Sequence, residues 1–142
     1  MRTKGDRVRH AVGFEIIGLL LVVIIGSSLL GIEAQKLGVL GVSMSLLATG
    51  WNYVFNFLFD HWLLRRTGRL NKSFPERVIH ACLFEGSLVV LSVPIIAWYL
   101  EMTLMNAFMM DLGLTLFYLL YTFIYNWLYD KLFPIPVTKE QT

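Results

Sequence analysis

The sequence predicts an all-α integral membrane protein with four transmembrane helices, built as two tandem parallel two-helix repeats. Three observations support this fold class. Hydrophobic residues make up 56% of the 142 positions and charged residues only 15%, and the mean hydropathy is +0.63. Soluble domains carry about 25% charged residues, so this composition argues against a soluble fold. The other two observations are four long apolar stretches and a sequence repeat at an offset of 70 residues.

Four stretches are long and apolar enough to cross a bilayer, which takes about 20 residues in a helix. They cover residues 11–30, 37–59, 81–100 and 107–129. Because the connections are short, consecutive helices are expected to be antiparallel neighbours. The basic start and the segment Gly26-Ser27-Ser28 resemble a cleaved signal peptide. The apolar run is long, however, carries Glu15 and belongs to the repeat, so we expect it to be retained. The whole chain, 1–142, is thus predicted to be one membrane domain.

Basic residues lie almost entirely on one side of the predicted spans. Eleven of the twelve lysines and arginines fall in the N-terminal segment, in the loop between the second and third spans, or in the C-terminal tail, which contains Lys131 and Lys139. Only Lys36 lies in a loop on the other side. Because cytoplasmic loops carry the excess of basic residues in membrane proteins, both termini are predicted to be cytoplasmic.

Two motifs occur twice, once in each half of the chain. Residues 7–15 read RVRHAVGFE and residues 77–85 read RVIHACLFE, while residues 51–60 read WNYVFNFLFD and residues 121–130 read YTFIYNWLYD. Just upstream, the pairs Thr3/Asp6 and Ser73/Glu76 have the spacing of a capping box at a helix start. Repeat one is expected to cover about residues 3–64 and repeat two about residues 73–134. Because each repeat has two spans, both enter the membrane from the same side, and equivalent residues are expected at equal depth.

Three acidic residues within the predicted spans are candidates for proton and substrate coupling: Glu15, Glu85 and Asp111. A charged carboxylate inside a bilayer costs about 2.5–3.5 kcal/mol on insertion scales, so such residues usually have a function. A carboxylate that exchanges a bound proton for a bound cation would couple the two fluxes. The structural alternative is a hydrogen bond between helices that only fixes packing. Asp111, whose repeat counterpart is Gly41, is either a proton relay from the outer side or a charge at the water boundary.

Further polar residues flank these acids. Counting the helical rise puts the glutamates in one layer with Asn56 and Asn126, and it puts four other residues in a shallower cytoplasmic layer: His10, His80, Asp60 and Asp130. The histidines either shuttle protons or, as we expect, cap a helix start or pair with the aspartates. A metal site made of His and Glu is not expected, because residues five apart do not share a helix face.

Four aromatic residues border the same layer: Trp51, Phe55, Tyr121 and Tyr125. They are candidates for a pocket that holds a flat hydrophobic cation by cation–π contact. Helix packing is the alternative role for most of them. Trp51 is the strongest candidate for the pocket, because it lies one turn deeper than Phe55.

Several function classes lack their signatures in this sequence. It has no phosphate-binding glycine loop, no nucleophile elbow and no metal-ligand cluster, so we expect neither an enzyme nor a bound cofactor or metal. The net charge of +2 provides no basic face for nucleic acid. A single cysteine, Cys82, forms neither an internal disulfide nor a zinc cluster.

The four motifs together resemble those of the proteobacterial antimicrobial compound efflux (PACE) family, whose domain is also called the bacterial transmembrane pair. The resemblance covers Arg7 to Asp130. It implies an inner-membrane, proton-driven exporter of hydrophobic cations such as chlorhexidine, acriflavine and proflavine, with short-chain diamines as a further cargo. It also implies that Glu15 is the proton and substrate site. Thr122, which stands where the first repeat has Asn52, departs from the pattern, so the two repeats need not contribute equally.

Other functions stay open at this point. An exporter of the small multidrug resistance type also has four spans and a glutamate in the first, but it lacks the duplication. A non-transporting assembly or regulatory subunit would need the acids only for packing, and a passive channel would conduct without a proton gradient. Since four helices enclose little volume, a homodimer is a further hypothesis, favoured by small residues in the second span: Gly38, Gly41, Ser43 and Ser45.

Overall fold

The structure, a computed structural model, describes residues 2–135, and these form four α-helices and no strand. The helices are α1 (Lys4–Leu30), α2 (Ala34–Thr67), α3 (Phe74–Tyr99) and α4 (Leu104–Leu132). Each of them is long and apolar enough to cross a membrane. The predicted all-α fold with four membrane-spanning helices is thereby confirmed for this range. Lys139, which entered the count of basic residues, lies outside the described residues.

α2 is the longest helix and extends beyond the predicted span 37–59. It has 34 residues, which corresponds to about 50 Å at about 1.5 Å per residue. The hydrocarbon core of a bilayer is only about 30 Å thick. The last turn of α2, which carries Arg65 and Arg66, is therefore expected to extend past the apolar region. There the two basic side chains also complement the negative end of the helix dipole.

The starts of α1 and α3 use the two capping pairs that the sequence predicts. The hydroxyl of Thr3 accepts a hydrogen bond from the Asp6 amide at 3.2 Å. The amide of Ser73 donates to the Glu76 carboxylate at 2.7 Å. The repeated sequence therefore gives both first helices a side-chain hydrogen bond that satisfies a free backbone amide.

The described chain divides into two compact units. The first unit combines the residues up to Gly38 with those from Leu112 onward, so it contains α1 and most of α4. The second unit, Val39–Asp111, contains most of α2, all of α3 and the start of α4. Each unit thus joins the first helix of one repeat to the second helix of the other, an arrangement that we call crossed pairing.

In the first unit, three tyrosines of α4 donate hydrogen bonds to α1. Tyr121 donates to the Phe14 carbonyl at 2.8 Å and Tyr125 to the His10 carbonyl at 2.9 Å. The Tyr129 hydroxyl donates to Asp6, where the carboxylate Oδ1 atom lies at 2.8 Å and the carbonyl oxygen at 3.3 Å. Both donors and acceptors are four residues apart, about one helical turn, so each rung joins successive turns of the two helices. We call this set the tyrosine ladder. It needs Gly13, because a Cβ atom there would lie 2.6 Å from the Tyr125 hydroxyl oxygen.

The second unit has an apolar core in place of the ladder. In α2 the positions equivalent to the three tyrosines are Trp51, Phe55 and Phe59, and none of these side chains carries a hydroxyl. Toward the other end of the unit, four buried apolar residues pack together: Leu40, Val93, Ile96 and Ala107. At the level of the ladder, the second unit therefore lacks the tyrosine hydrogen bonds, and toward its other end apolar packing contributes to its stability.

Candidate functional site

Two equivalent hydrogen bonds join a histidine to an asparagine, one in each unit. His10 of α1 donates from Nε2 to the Asn126 Oδ1 atom at 2.8 Å, and His80 of α3 donates from Nε2 to the Asn56 Oδ1 atom at 2.9 Å. The Asn56 amide nitrogen in turn donates to the Asn52 carbonyl at 2.7 Å, which directs the amide oxygen toward the histidine. These pairs link the two motifs of opposite repeats, so both repeats are needed to form either one.

Aromatic rings pack against each histidine at matching positions. The His10 ring contacts Tyr125 and Tyr129, with centroids 5.1 and 4.6 Å apart. The His80 ring contacts Phe55 and Phe59 at 5.1 and 4.7 Å. Two of the predicted cation-binding aromatics, Phe55 and Tyr125, therefore border the histidines in these contacts. Their repeated geometry is consistent with the packing role that the sequence left open.

The two repeated aspartates form their hydrogen bonds with basic side chains and not with the histidines, although Asp60 also interacts electrostatically with His80. Lys72 donates from Nζ to the Asp60 Oδ1 atom at 2.7 Å, and Arg2 donates to Asp130. Arg2 and Lys72 are themselves repeat equivalents, 70 residues apart. A fully charged donor makes a stronger bond to a carboxylate than a neutral imidazole does. The histidines hydrogen-bond the side-chain amides of Asn126 and Asn56. The two asparagines therefore lie at the level of the histidines and not, as expected, in a deeper layer with the glutamates.

Arg2 connects two acidic residues of the first unit. Its guanidinium binds Asp6 at 2.6 Å as well as Asp130, and it lies 4.8 Å from the centre of the Tyr129 ring. The hydrogen bond to Asp6, together with that to Asp130, raises the pKa of Arg2 above its usual value. Arg9 adds a second guanidinium on Asp6. This end of the first unit is therefore a compact charged cluster.

Glu15 is exposed on α1 and interacts electrostatically with aromatic residues of the first unit. These residues are Tyr118 and Tyr121 of α4. The Tyr121 ring stacks on Phe117, with centroids 5.8 Å apart and planes 7° from parallel. Tyr121 also packs against Phe14, at 4.8 Å. Tyr121 belongs to the repeated motif and was predicted from it, whereas Tyr118 and Phe117 lie outside that motif and carry no signal in the sequence.

Glu85 has a different surrounding from Glu15. Both glutamates are exposed on their helices, but the positions equivalent to Tyr118 and Phe117 are Ala48 and Leu47. The rings of Tyr118 and Phe117 therefore have no aromatic equivalent in the second unit, whereas Tyr121 and Phe14 correspond to Trp51 and Phe84. The duplicated glutamates are not interchangeable in their environment.

Asp111 is bound to α3 through a serine that the sequence analysis missed. The hydroxyl of Ser92, a buried residue, donates to the Asp111 Oδ1 atom at 3.0 Å. The repeat contains a signal for this pair, because Ser92 and Asp111 replace Val22 and Gly41 of the first half. Two polar residues that depart from the repeat together are expected to be neighbours.

Trp51 borders an apolar cavity of the second unit. Its indole nitrogen donates to the Ser87 hydroxyl at 2.9 Å. The cavity has a volume of about 430 Å³, and its lining contains no acidic residue: Trp51, Cys82, Leu83, Gly86, Ser87, Val90 and Leu91. It has room for an apolar group but offers no charge to a cation. Among residues 2–135, no group of three or more His, Cys, Asp or Glu residues is arranged to hold a metal ion.

These features define a class of protein: a multi-pass membrane protein whose helices carry a duplicated set of ionisable and aromatic groups. The chain belongs to the chlorhexidine efflux transporter family, the PACE family named above, whose model matches residues 2–65 and again residues 72–135. The two matches bear out the tandem repeat. Members of this family are transporters and not enzymes.

Three relatives carry the name short-chain diamines transporter. The one from Vibrio parahaemolyticus is 38% identical over 132 residues, which cover 93% of either chain. The one from Acinetobacter baumannii is 38% identical over 138 residues, 94% of either chain. The one from Acinetobacter baylyi is 34% identical over 132 residues, 93% of this chain and 92% of the relative. No solved structure matches the chain.

Proposed function

We propose that this protein is a proton-coupled antiporter that exports organic cations across the bacterial inner membrane. Its cargo includes short-chain diamines and hydrophobic cationic biocides of the chlorhexidine, acriflavine and proflavine type. One observation carries the proposal: Glu15, an acidic residue exposed on an apolar helix, interacts electrostatically with Tyr118 and Tyr121 of α4. A carboxylate beside aromatic faces suits an organic cation, because the carboxylate supplies the charge and the rings supply cation–π contact.

Coupling follows from competition for one carboxylate. With a proton bound, Glu15 is neutral, and the bilayer tolerates it at low cost. A cation arriving from the cytoplasm releases that proton and takes its place on the ionised carboxylate. On the outer side a new proton displaces the cation. Since the site holds one or the other, each cation exported is exchanged for a proton that moves inward.

The cargo classes share one chemical property, which is positive charge on an apolar frame. A short-chain diamine is an alkyl chain with an ammonium group at each end, and chlorhexidine and the acridine dyes are cationic with aromatic groups. The three relatives named for diamine transport and the family named for chlorhexidine support both classes. The aromatic group beside Glu15 suits the aromatic cations in particular.

Transport by purified protein in liposomes tests this function. We expect a pH gradient to drive cadaverine or chlorhexidine across the membrane, and we expect the cation flux to move protons in the opposite direction. The control is the same preparation with the gradient collapsed by a protonophore. Flux that continues after this collapse would indicate a passive channel, and no flux under either condition would support a non-transporting subunit.

We also propose that both termini and the α2–α3 connection are cytoplasmic, because the basic residues lie on that side. Single cysteines in a Cys82→Ser background test this. Ile32→Cys, between α1 and α2, should react with a membrane-impermeant maleimide in intact cells. Asn71→Cys, between α2 and α3, should react only after the membrane is permeabilised. The reverse labelling pattern would contradict the orientation.

A homodimer belongs to the same proposal, since four helices enclose little volume for a complete transport pathway. We expect the protein in a transport-competent detergent to have the mass of two chains. A mass of one chain under those conditions would contradict this. A Cβ atom at Gly38 would lie 3.9 Å from Val23 of α1, which is an ordinary van der Waals distance, so packing within the chain does not require a glycine there.

A further inference from the structure

The ammonium group of Lys72 occupies a niche at the end of α2 that is suited to an alkylammonium ion. Its Nζ atom lies 2.7 Å from the Asp60 Oδ1 atom and 5.6 Å from the centre of the Phe59 ring. The ring is buried, with 6% of its surface exposed, so it forms a fixed wall. A carboxylate and an aromatic face together supply the two contacts that an organic ammonium group uses.

The backbone of Lys72 is held in place while its side chain remains exchangeable. The residue precedes the helix-start residue Ser73, and its carbonyl accepts a hydrogen bond from the Arg77 guanidinium at 3.3 Å. The side chains of Lys72 and Asp60 are 23% and 42% exposed. A solute in the surrounding water can therefore reach the Asp60 carboxylate when the lysine side chain moves aside. Ion pairs that remain in contact with solvent contribute little free energy.

The equivalent position in the first unit is held more firmly. Arg2 binds two carboxylates at once, those of Asp6 and Asp130, and its side chain is 17% exposed. The repeat counterpart of Asp6 is Glu76, which instead bonds Ser73 and Arg69. Lys72 is thus a single ammonium group on a single carboxylate. The Asp130 side chain is 69% exposed and that of Asp60 42%, so the two aspartates differ in how firmly their cation is held and not in access. Because Lys72 binds only one carboxylate, Asp60 is the aspartate whose cation exchanges more readily.

We propose that Asp60 and the face of Phe59 form a binding site for primary alkylammonium groups. The ammonium group of Lys72 competes with the ligand for this site. The lysine side chain is four methylenes ending in an ammonium group, which is also the chemistry of one end of a short-chain diamine. An ammonium group of the diamine binds the Asp60 carboxylate when the Lys72 side chain changes rotamer and leaves it. This inference rests on the proposed function, because it makes the niche the place where diamines first bind on their way to export.

Calorimetric titration of the purified protein with cadaverine tests the proposal. Replacing Lys72→Met removes the competitor, and we expect the dissociation constant to fall about two- to fivefold. Lys72→Arg restores a competing cation and should return the constant toward that of the wild type. The matched control is Arg65→Met, which removes one positive charge from the same end of α2 without touching the Asp60 contact. It should change the constant by less than half as much.

A double substitution gives the decisive comparison. Asp60→Asn should weaken cadaverine binding, and adding Lys72→Met to it should then change the constant no more than Arg65→Met does. The proposal is overturned if Lys72→Met equals Arg65→Met, since the gain would then come from net charge alone. It is equally overturned if the gain persists in the Asp60→Asn background. Liposome flux is measured separately: wild-type protein that transports nothing contradicts the proposed function, whereas the titration still decides whether Lys72 competes.

Discussion

Replacing Glu15→Gln is expected to lower proton-coupled export to the rate of protein-free liposomes. The amide keeps the size and hydrogen-bonding capacity of the carboxylate, but it neither binds a proton reversibly nor balances the charge of a cation. Both halves of the exchange therefore stop together. The measurement is cadaverine or chlorhexidine flux under a pH gradient, with proton flux recorded at the same time.

Glu85→Gln is the matched control, because it makes the same change at the repeat-related position. That glutamate has Ala48 where Glu15 has Tyr118, so we expect its replacement to leave coupled flux measurable. Undiminished coupled flux in Glu15→Gln would contradict the assignment and move the proton site to Glu85 or Asp111. Packing defects are separated from lost coupling by comparing the thermal stability of the two variants.

Gly13→Ala is expected to destabilise the first unit by about 1–3 kcal/mol, as overpacking of a close contact does. The added Cβ atom would lie 2.6 Å from the Tyr125 hydroxyl oxygen. Relief requires that this hydroxyl leave the His10 carbonyl, which breaks the middle rung of the tyrosine ladder. The measurement is the apparent melting temperature in detergent.

Gly86→Ala is the control for helix propensity. A Cβ atom at that position meets nothing within 4 Å, so alanine should leave the melting temperature unchanged or raise it, by up to about 1 kcal/mol of stability. The two substitutions are chemically identical, and opposite signs would isolate the close contact. Equal melting temperatures for the two variants would show that the α1–α4 packing at Gly13 is not as close as described.

The number, type and capping of the helices were predictable from sequence because each depends on local pattern. Apolar length predicts a span, and the pairs Thr3/Asp6 and Ser73/Glu76 predict a helix start. Crossed pairing was not predictable in the same way. A repeat identifies equivalent positions but not which helices contact each other, and short loops favour neighbours within a repeat.

Some contacts of the candidate site were predictable from the sequence, and others were not. Arg2 and Lys72 stand 70 residues apart, as do Asp130 and Asp60, so the two ion pairs could have been found by extending the repeat upstream. In the tyrosine ladder, the acceptors of Tyr121 and Tyr125 are backbone carbonyls, which every residue has. No sequence pattern identifies them, and only the paired helices show which carbonyls Tyr121 and Tyr125 reach.

Crossed pairing gives the duplication a simple origin. One repeat alone has a helix with the histidine and a helix with the asparagine, but neither side chain finds its partner within that repeat. Two separate copies would form both His–Asn pairs between them, as the subunits of a domain-swapped dimer do. Joining two copies in one gene keeps both pairs and removes the need for the copies to be identical. The halves have since diverged, with Arg2 fixed between two acids in one and Lys72 on a single acid in the other. In a single chain, two equivalent positions can therefore take different side chains and different roles, whereas in a symmetric dimer of identical chains they must be the same.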